Sequence, residues 1–165
     1  MMRRVQIAGL TMDPASNTPI VLLKTEDDEK VVPIWIGLLE ATSIASALQK
    51  ISYERPMTHD LFKNFIEENR MVIERIEVCD LRENTFFARI YFSSEERRFD
   101  MDARPSDAIA LALRFDAPIF IHEEVIERSR VRDTEVEVAD TSEEGKKWAD
   151  YLEKLSAEDF GKYKV

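Results

Sequence analysis

Three runs rich in Val, Ile and Leu, at residues 4–12, 19–25 and 30–36, are separated by Asp13-Pro14-Ala15-Ser16-Asn17 and by Glu26-Asp27-Asp28-Glu29. That alternation of apolar runs and turn residues predicts three strands. After Gly37 the period changes. Ala41, Ile44, Ala45, Leu48 and Ile51 recur at the spacing of one helix face, which predicts a helix from Leu38 to about Ile51. Small Ala and Ser side chains around this face permit close approach to a neighbouring element. Tyr53-Glu54-Arg55-Pro56-Met57 interrupts the pattern. A second helix is then predicted, with Thr58 as its N-cap, Asp60 in its first turn, and Leu61, Phe62, Phe65 and Ile66 on its apolar side.

Strand signals resume at about 71–81, 85–93 and 97–103, with Phe86, Ala88, Ile90 and Phe92 alternating against Phe87, Arg89 and Tyr91. A helix from about Pro105 to Phe115 follows. Its centre, Ala108 to Leu113, is apolar all round and therefore expects cover on more than one face. Ala117 to Ile121 reads as one more buried strand, and His122 to Ile126 as a turn or short helix, with His122 a turn residue. Strand, strand, strand, helix thus occurs twice, over about 4–51 and 71–115. Ile44-Ala45-Ser46-Ala47-Leu48 resembles Ile109-Ala110-Leu111-Ala112-Leu113, which suggests an internal duplication. The predicted class is α+β, with one domain over 1–133 and an acidic extension over 134–165. Val136-Glu137-Val138 hints at an edge strand, and Thr141 with Glu144 opens a helix striped by Trp148, Tyr151, Leu152 and Leu155.

At 165 residues the chain is long enough to bury a core without staples. Its single cysteine, Cys79, lies in a strand-like run beside acidic residues, which suits a structural thiol in a reducing compartment. The apolar stretch after Met1-Met2-Arg3-Arg4 is too short for a signal-peptide core or a membrane span, so a cytoplasmic location and no membrane partner are expected. A net charge of −10 counts against passive adhesion to nucleic acid. Residues 122–165 are the more densely acidic part, with 8 Lys and Arg against 13 Asp and Glu.

Three clusters could carry chemistry. Along Arg98-Phe99-Asp100-Met101-Asp102-Ala103-Arg104 the period of two puts Asp100 and Asp102 on one face, where carboxylates about 7 Å apart could converge on a hard cation. The structural alternative is a solvated sheet face laced with ion pairs. At Arg104-Pro105-Ser106-Asp107 the polar side chains suit a helix cap, and Arg104 could instead pair with an acidic side chain or hold a phosphate beside the helix start. His59-Asp60, with Arg55 upstream, offers a general base, although a lone histidine is more often structural. Glu40 occupies in the first unit the strand-to-helix junction that Asp107 occupies in the second, so the two are expected near each other. No phosphate-binding glycine loop, G-x-S-x-G, H-E-x-x-H or cysteine metal cluster is present.

Four blocks, Pro33-Ile34-Trp35-Ile36-Gly37-x-x-Glu40, Arg55-Pro56-Met57-Thr58-His59-Asp60-Leu61, Asp102-Ala103-Arg104-Pro105-Ser106-Asp107-Ala108-Ile109 and Ala117-Pro118-Ile119-Phe120, resemble the bifunctional nuclease (DNase/RNase) domain family. They cover most of residues 1–125 in the same order, and Met57 stands where leucine is commoner. The resemblance implies a metal-assisted nuclease acting on DNA and RNA, and its motifs fall on Glu40, Arg55, His59, Asp60, Asp102, Arg104, Ser106 and Asp107. On that footing Asp102 and Asp107, with Glu40 as a candidate third ligand, are expected to hold Mg²⁺ or Mn²⁺, His59 to move protons, and Arg55 or Arg104 to clamp phosphate, with Asp60 and Glu40 also among the catalytic candidates. The acidic balance keeps a second hypothesis open, a non-catalytic homo-oligomeric module that binds a small anion or a protein partner.

Overall fold

The computed structural model describes residues 1–133. Seven strands are present among them: β1 (Met2–Asp13), β2 (Thr18–Thr25), β3 (Val31–Trp35), β4 (Val72–Arg82), β5 (Thr85–Ser93), β6 (Arg98–Ala103) and β7 (Ile119–His122). Four helices accompany them: α1 (Leu38–Leu48), α2 (Thr58–Glu68), α3 (Pro105–Phe115) and α4 (Glu123–Asp133). The strands form one mixed sheet in the order β3-β2-β1-β7-β4-β5-β6. Two antiparallel meanders run outward from β7, which pairs antiparallel with β1 and parallel with β4. The chain is therefore α+β, and the repeat of element order is a property of the fold. Common ancestry of the two units does not follow from that order. The expected elements within residues 136–155 lie outside the described residues. No helix among the described residues is long and apolar enough to cross a membrane.

In the second meander, strand alternation sorts the side chains by face. Ile73, Ile76, Val78, Ala88, Ile90 and Phe92 are buried in the core beneath α3, and Phe99 of β6 stacks on Phe92 with ring centroids 5.0 Å apart. Ala108 to Ala112 of α3 are at most 1 % exposed, so this helix is covered all round, as its uninterrupted apolar run requires. It packs on the sheet below and on α1 and α2 beside it. Pro105 supplies the preset φ of a first helical turn. At the other end Asp116, a residue type that tolerates positive φ, adopts φ 52° and closes the helix.

Several boundaries differ from expectation for local reasons. Lys50 takes φ 53° and the Ile51 N–H bonds back to Ser46 O at 2.9 Å, so α1 ends at Leu48; Ala41, Ile44 and Ala45 are buried while Leu48 is exposed. Met57, not Thr58, is the N-cap of α2, because the Met57 N–H is taken by the Asp60 carboxylate at 3.1 Å. Ile66 is buried and Phe62 packs on the core, but Leu61 and Phe65 stand exposed. The last strand is shifted to 119–122, with His122 inside it, and of the turn or short helix expected there the structure has the helix, α4, longer than expected, whose Val125 and Ile126 join the core.

The opposite face of β4 and β5 is polar. Glu77, only 5 % exposed at its side chain, accepts from Arg75 Nε at 2.7 Å and Tyr91 Oη at 3.1 Å and lies 3.2 Å from His122 Nε2. Burial alone would raise its pKa, but the bonds from Arg75, His122 and Tyr91 outweigh burial and hold it below the ordinary value. A folded-state pKa lowered in this way contributes stability that is complete above the unfolded value and lost as pH falls through the folded one. Glu77→Gln is therefore expected to cost about 1–3 kcal/mol near neutral pH. It should also flatten the fall in urea midpoint between about pH 7 and about pH 3; equal slopes for variant and wild type would contradict the assignment. Cys79 is half-buried, and burial raises its thiol pKa ahead of any effect of Asp80 or Glu77.

Candidate active site

The first turns of α1, α2 and α3 each place a carboxylate at their third residue: Glu40, Asp60 and Asp107. Negative charge is favoured there by the helix dipole. The three acids do not cap three separate ends. Arg104, the N-cap of α3, donates from Nε to Asp107 Oδ2 at 2.9 Å and lies 2.8 Å through its terminal nitrogen from Glu40 Oε1. One guanidinium thus ties the two junctions that the sequence set in equivalent places. Gly37 makes room for this arrangement, because a Cβ at that position would collide with the Glu40 carboxylate.

His59, in the first turn of α2, sits between the other two helices. Its Nδ1 is 2.7 Å from Ser43 Oγ of α1, and its Nε2 is 2.9 Å from Asp107 Oδ1 of α3. Burial would raise the Asp107 pKa, but the bonds from Arg104 and His59 prevail and hold it below the ordinary carboxylate value. An ionised Asp107 only accepts, so the hydrogen of neutral His59 is on Nε2 and Nδ1 accepts from the Ser43 hydroxyl. Arg114 ties the same helices from beneath. It is 7 % exposed and donates to Asp60 Oδ1 at 2.7 Å, Ala110 O at 2.8 Å and Ser43 O at 3.3 Å. Glu40, Ser43, His59, Arg104, Asp107 and Arg114 line a cleft of about 320 Å³ together with Leu39, Tyr53 and Met57, and Asp60 joins them through Arg114.

Four of the expected residues line this cleft, Glu40, His59, Arg104 and Asp107, and Asp60 is tied to it through Arg114. Ser106 is buried at the start of α3. Arg55 is exposed on the approach to α2 and is not part of the cleft lining. Asp102 and Asp100 are elsewhere. In register they oppose Arg89 and Tyr91 on the polar face of the sheet, and Asp100 is ion-paired to Arg89. Asp102 and Asp107 therefore do not face a common point.

The donor set of the cleft does not fit a divalent ion. Both Asp107 oxygens, one Glu40 oxygen and both Asp60 oxygens already bind Arg104, His59, Arg114 or the Met57 N–H. No group of three or more His, Cys, Asp or Glu residues among the described residues is arranged to hold a metal. Two cleft residues escaped the sequence-based expectation, Ser43 and Arg114. Their signal was spacing: Ser43 follows Glu40 by three residues and Arg114 follows Asp107 by seven, each on the same helix face as its acid.

All of the cleft lies within residues 21–134, which match the family model described as the bifunctional nuclease domain. The chain belongs to the bifunctional nuclease domain family. An uncharacterised protein of Mycobacterium tuberculosis is 33% identical over 164 residues, covering 96% of this chain and 98% of that protein. Bifunctional nuclease 1 of Oryza sativa subsp. indica is 24% identical over 116 residues, 68% of this chain but 35% of that protein. Bifunctional nuclease 2 of Arabidopsis thaliana is 24% identical over 111 residues, 66% of this chain and 34% of that protein. The chain therefore spans about a third of each of these two plant bifunctional nucleases.

Proposed function

We propose that the chain hydrolyses phosphodiester bonds of DNA and RNA in the cleft between α1, α2 and α3. The observation that carries this is the placement of His59 between a hydroxyl and a carboxylate, beside the Arg104 guanidinium. Asp107 fixes the ring and its tautomer and stabilises the imidazolium that forms when Nδ1 takes a proton. Arg104 is 65 % exposed and can turn part of its fork to a phosphate oxygen while remaining near Asp107. Leu39, Met57 and the Tyr53 ring offer apolar surface to a nucleoside beside that phosphate. Family membership and the names of the plant relatives support the same reaction class.

One observation favours a second function, recognition of a protein partner without chemistry, over binding of any free phosphate. The arginines of the cleft are already paired with carboxylates, and two guanidiniums face three acids, so an incoming phosphate has to displace a resident anion. The test is cleavage of single- and double-stranded DNA and RNA by purified chain with Mg²⁺, with Mn²⁺ and with a chelator. Cleavage that disappears in His59→Ala supports hydrolysis at this cleft, and the chelator arm decides the divalent-ion requirement that the family resemblance implies. Cleavage unchanged by His59→Ala would assign the activity to another site or another protein.

A further inference from the structure

Both nitrogens of the His59 ring are occupied within the protein. Nε2 faces an acceptor-only carboxylate, and Nδ1, the nitrogen left to act as a base, holds the Ser43 hydroxyl at 2.7 Å. An attacking water would find no free base on this ring. Ser43 lines the cleft, while Ser46, one turn position along α1, is buried and spends its hydroxyl on Ser43 O at 2.9 Å. Asp107, His59 and Ser43 come from three different helices, and together they make a carboxylate, an oriented imidazole and a hydroxyl in hydrogen-bonded series, the arrangement that activates a serine.

We propose that Ser43 is the nucleophile and that the reaction passes through a nucleotidyl-serine diester; this rests on the cleft being the phosphodiester-cleaving site. In the first step the Ser43 Oγ–H proton moves to His59 Nδ1 as Oγ forms a bond to phosphorus. The bond from phosphorus to the leaving oxygen breaks, and that oxygen takes the proton from Nδ1. In the second step water gives a proton to Nδ1 and its oxygen bonds to phosphorus, the bond from phosphorus to Ser43 Oγ breaks, and Oγ recovers the proton. Arg104 is placed to meet the charge that grows on the phosphoryl oxygens in both steps. No oxidant, reductant or cofactor is consumed.

Two in-line displacements retain configuration at phosphorus, whereas one direct attack by water inverts it. The experiment uses the full chain and a single diastereomer of the phosphorothioate analogue of thymidine 5′-(4-nitrophenyl phosphate), hydrolysed in heavy-oxygen water. Retention is expected, together with a thymidine phosphorothioate diester on the Ser43 peptide after rapid acid quench, and with cleavage at least about a hundredfold slower in Ser43→Ala. Inversion overturns the proposal while leaving the cleft as the site, provided that His59→Ala still abolishes cleavage. Retention with full activity in Ser43→Ala overturns it in favour of another nucleophile. Cleavage unaffected by His59→Ala overturns both the nucleophile and the site. Should Ser43→Ala not fold, the stereochemistry and the position of the adduct in the wild-type chain decide alone.

Discussion

His59→Ala is expected to slow phosphodiester cleavage by about 10²–10⁴-fold, the range that a positioned general acid–base contributes. The same substitution should cost only about 1 kcal/mol of stability. Asp107 keeps its bond to Arg104, and Ser43 lies at a partly open wall where water can replace the lost ring. The separation between a large kinetic effect and a small thermodynamic one is the informative part. A ring that merely bridges helices would give the reverse, a lowered urea midpoint with cleavage preserved in the folded fraction. Measuring kcat at saturating substrate beside an unfolding curve on one preparation distinguishes the two.

Arg114→Ala is expected to be the most destabilising single change in the cleft. The guanidinium is almost fully buried and serves three acceptors on three helices. Its removal leaves the Asp60 carboxylate held by the Met57 N–H alone among those two bonds. Breaking a fully buried ion pair costs about 3–5 kcal/mol. Asp60 is 32 % exposed, so about 2–4 kcal/mol is expected here, a large share of a stability near 5–15 kcal/mol. Arg114→Lys should recover only part of this, because one ammonium cannot reach all three acceptors in a fork. Urea unfolding of Arg114→Ala, Asp60→Asn and the double variant measures the coupling. Additive losses, or a loss below about 0.5 kcal/mol for Arg114→Ala, would show that the buried bridge contributes little.

The strand pattern was legible wherever one sheet face was apolar and the other polar, as in Phe86 to Phe92, because a period of two survives any tertiary context. The all-round apolar centre of α3 announced its own burial for a similar reason. Helix ends were less legible. Nothing in the type of residue says that Lys50 will adopt positive φ, or that Asp60 will cap α2 from inside its first turn in place of Thr58. Leu61 and Phe65 misled because α2 rests on α3 along a narrow strip that Phe62 and Ile66 already fill.

The site was half legible. Glu40, His59, Asp60, Arg104 and Asp107 stood out as polar residues at the starts of helices, and the fold gathers those starts. Asp102 stood out by the same polarity, but one strand step decides its face and turns it away from the cleft. Ser43 and Arg114 looked like helix filler. Spacing sets them on the helix faces of Glu40 and Asp107, but their importance comes from contacts across 16 and 54 positions of sequence, to His59 and Asp60, which that spacing alone does not specify.

The cleft and the polar face of β6 make opposite demands on two aspartates. Cleavage of one nucleic-acid substrate should be measured for wild type, Asp107→Asn and Asp102→Asn, each shown to be folded. Loss of activity in Asp107→Asn with near wild-type activity in Asp102→Asn is the predicted result. Full activity in Asp107→Asn with loss in Asp102→Asn would move the chemistry to the other side of the sheet and contradict the account.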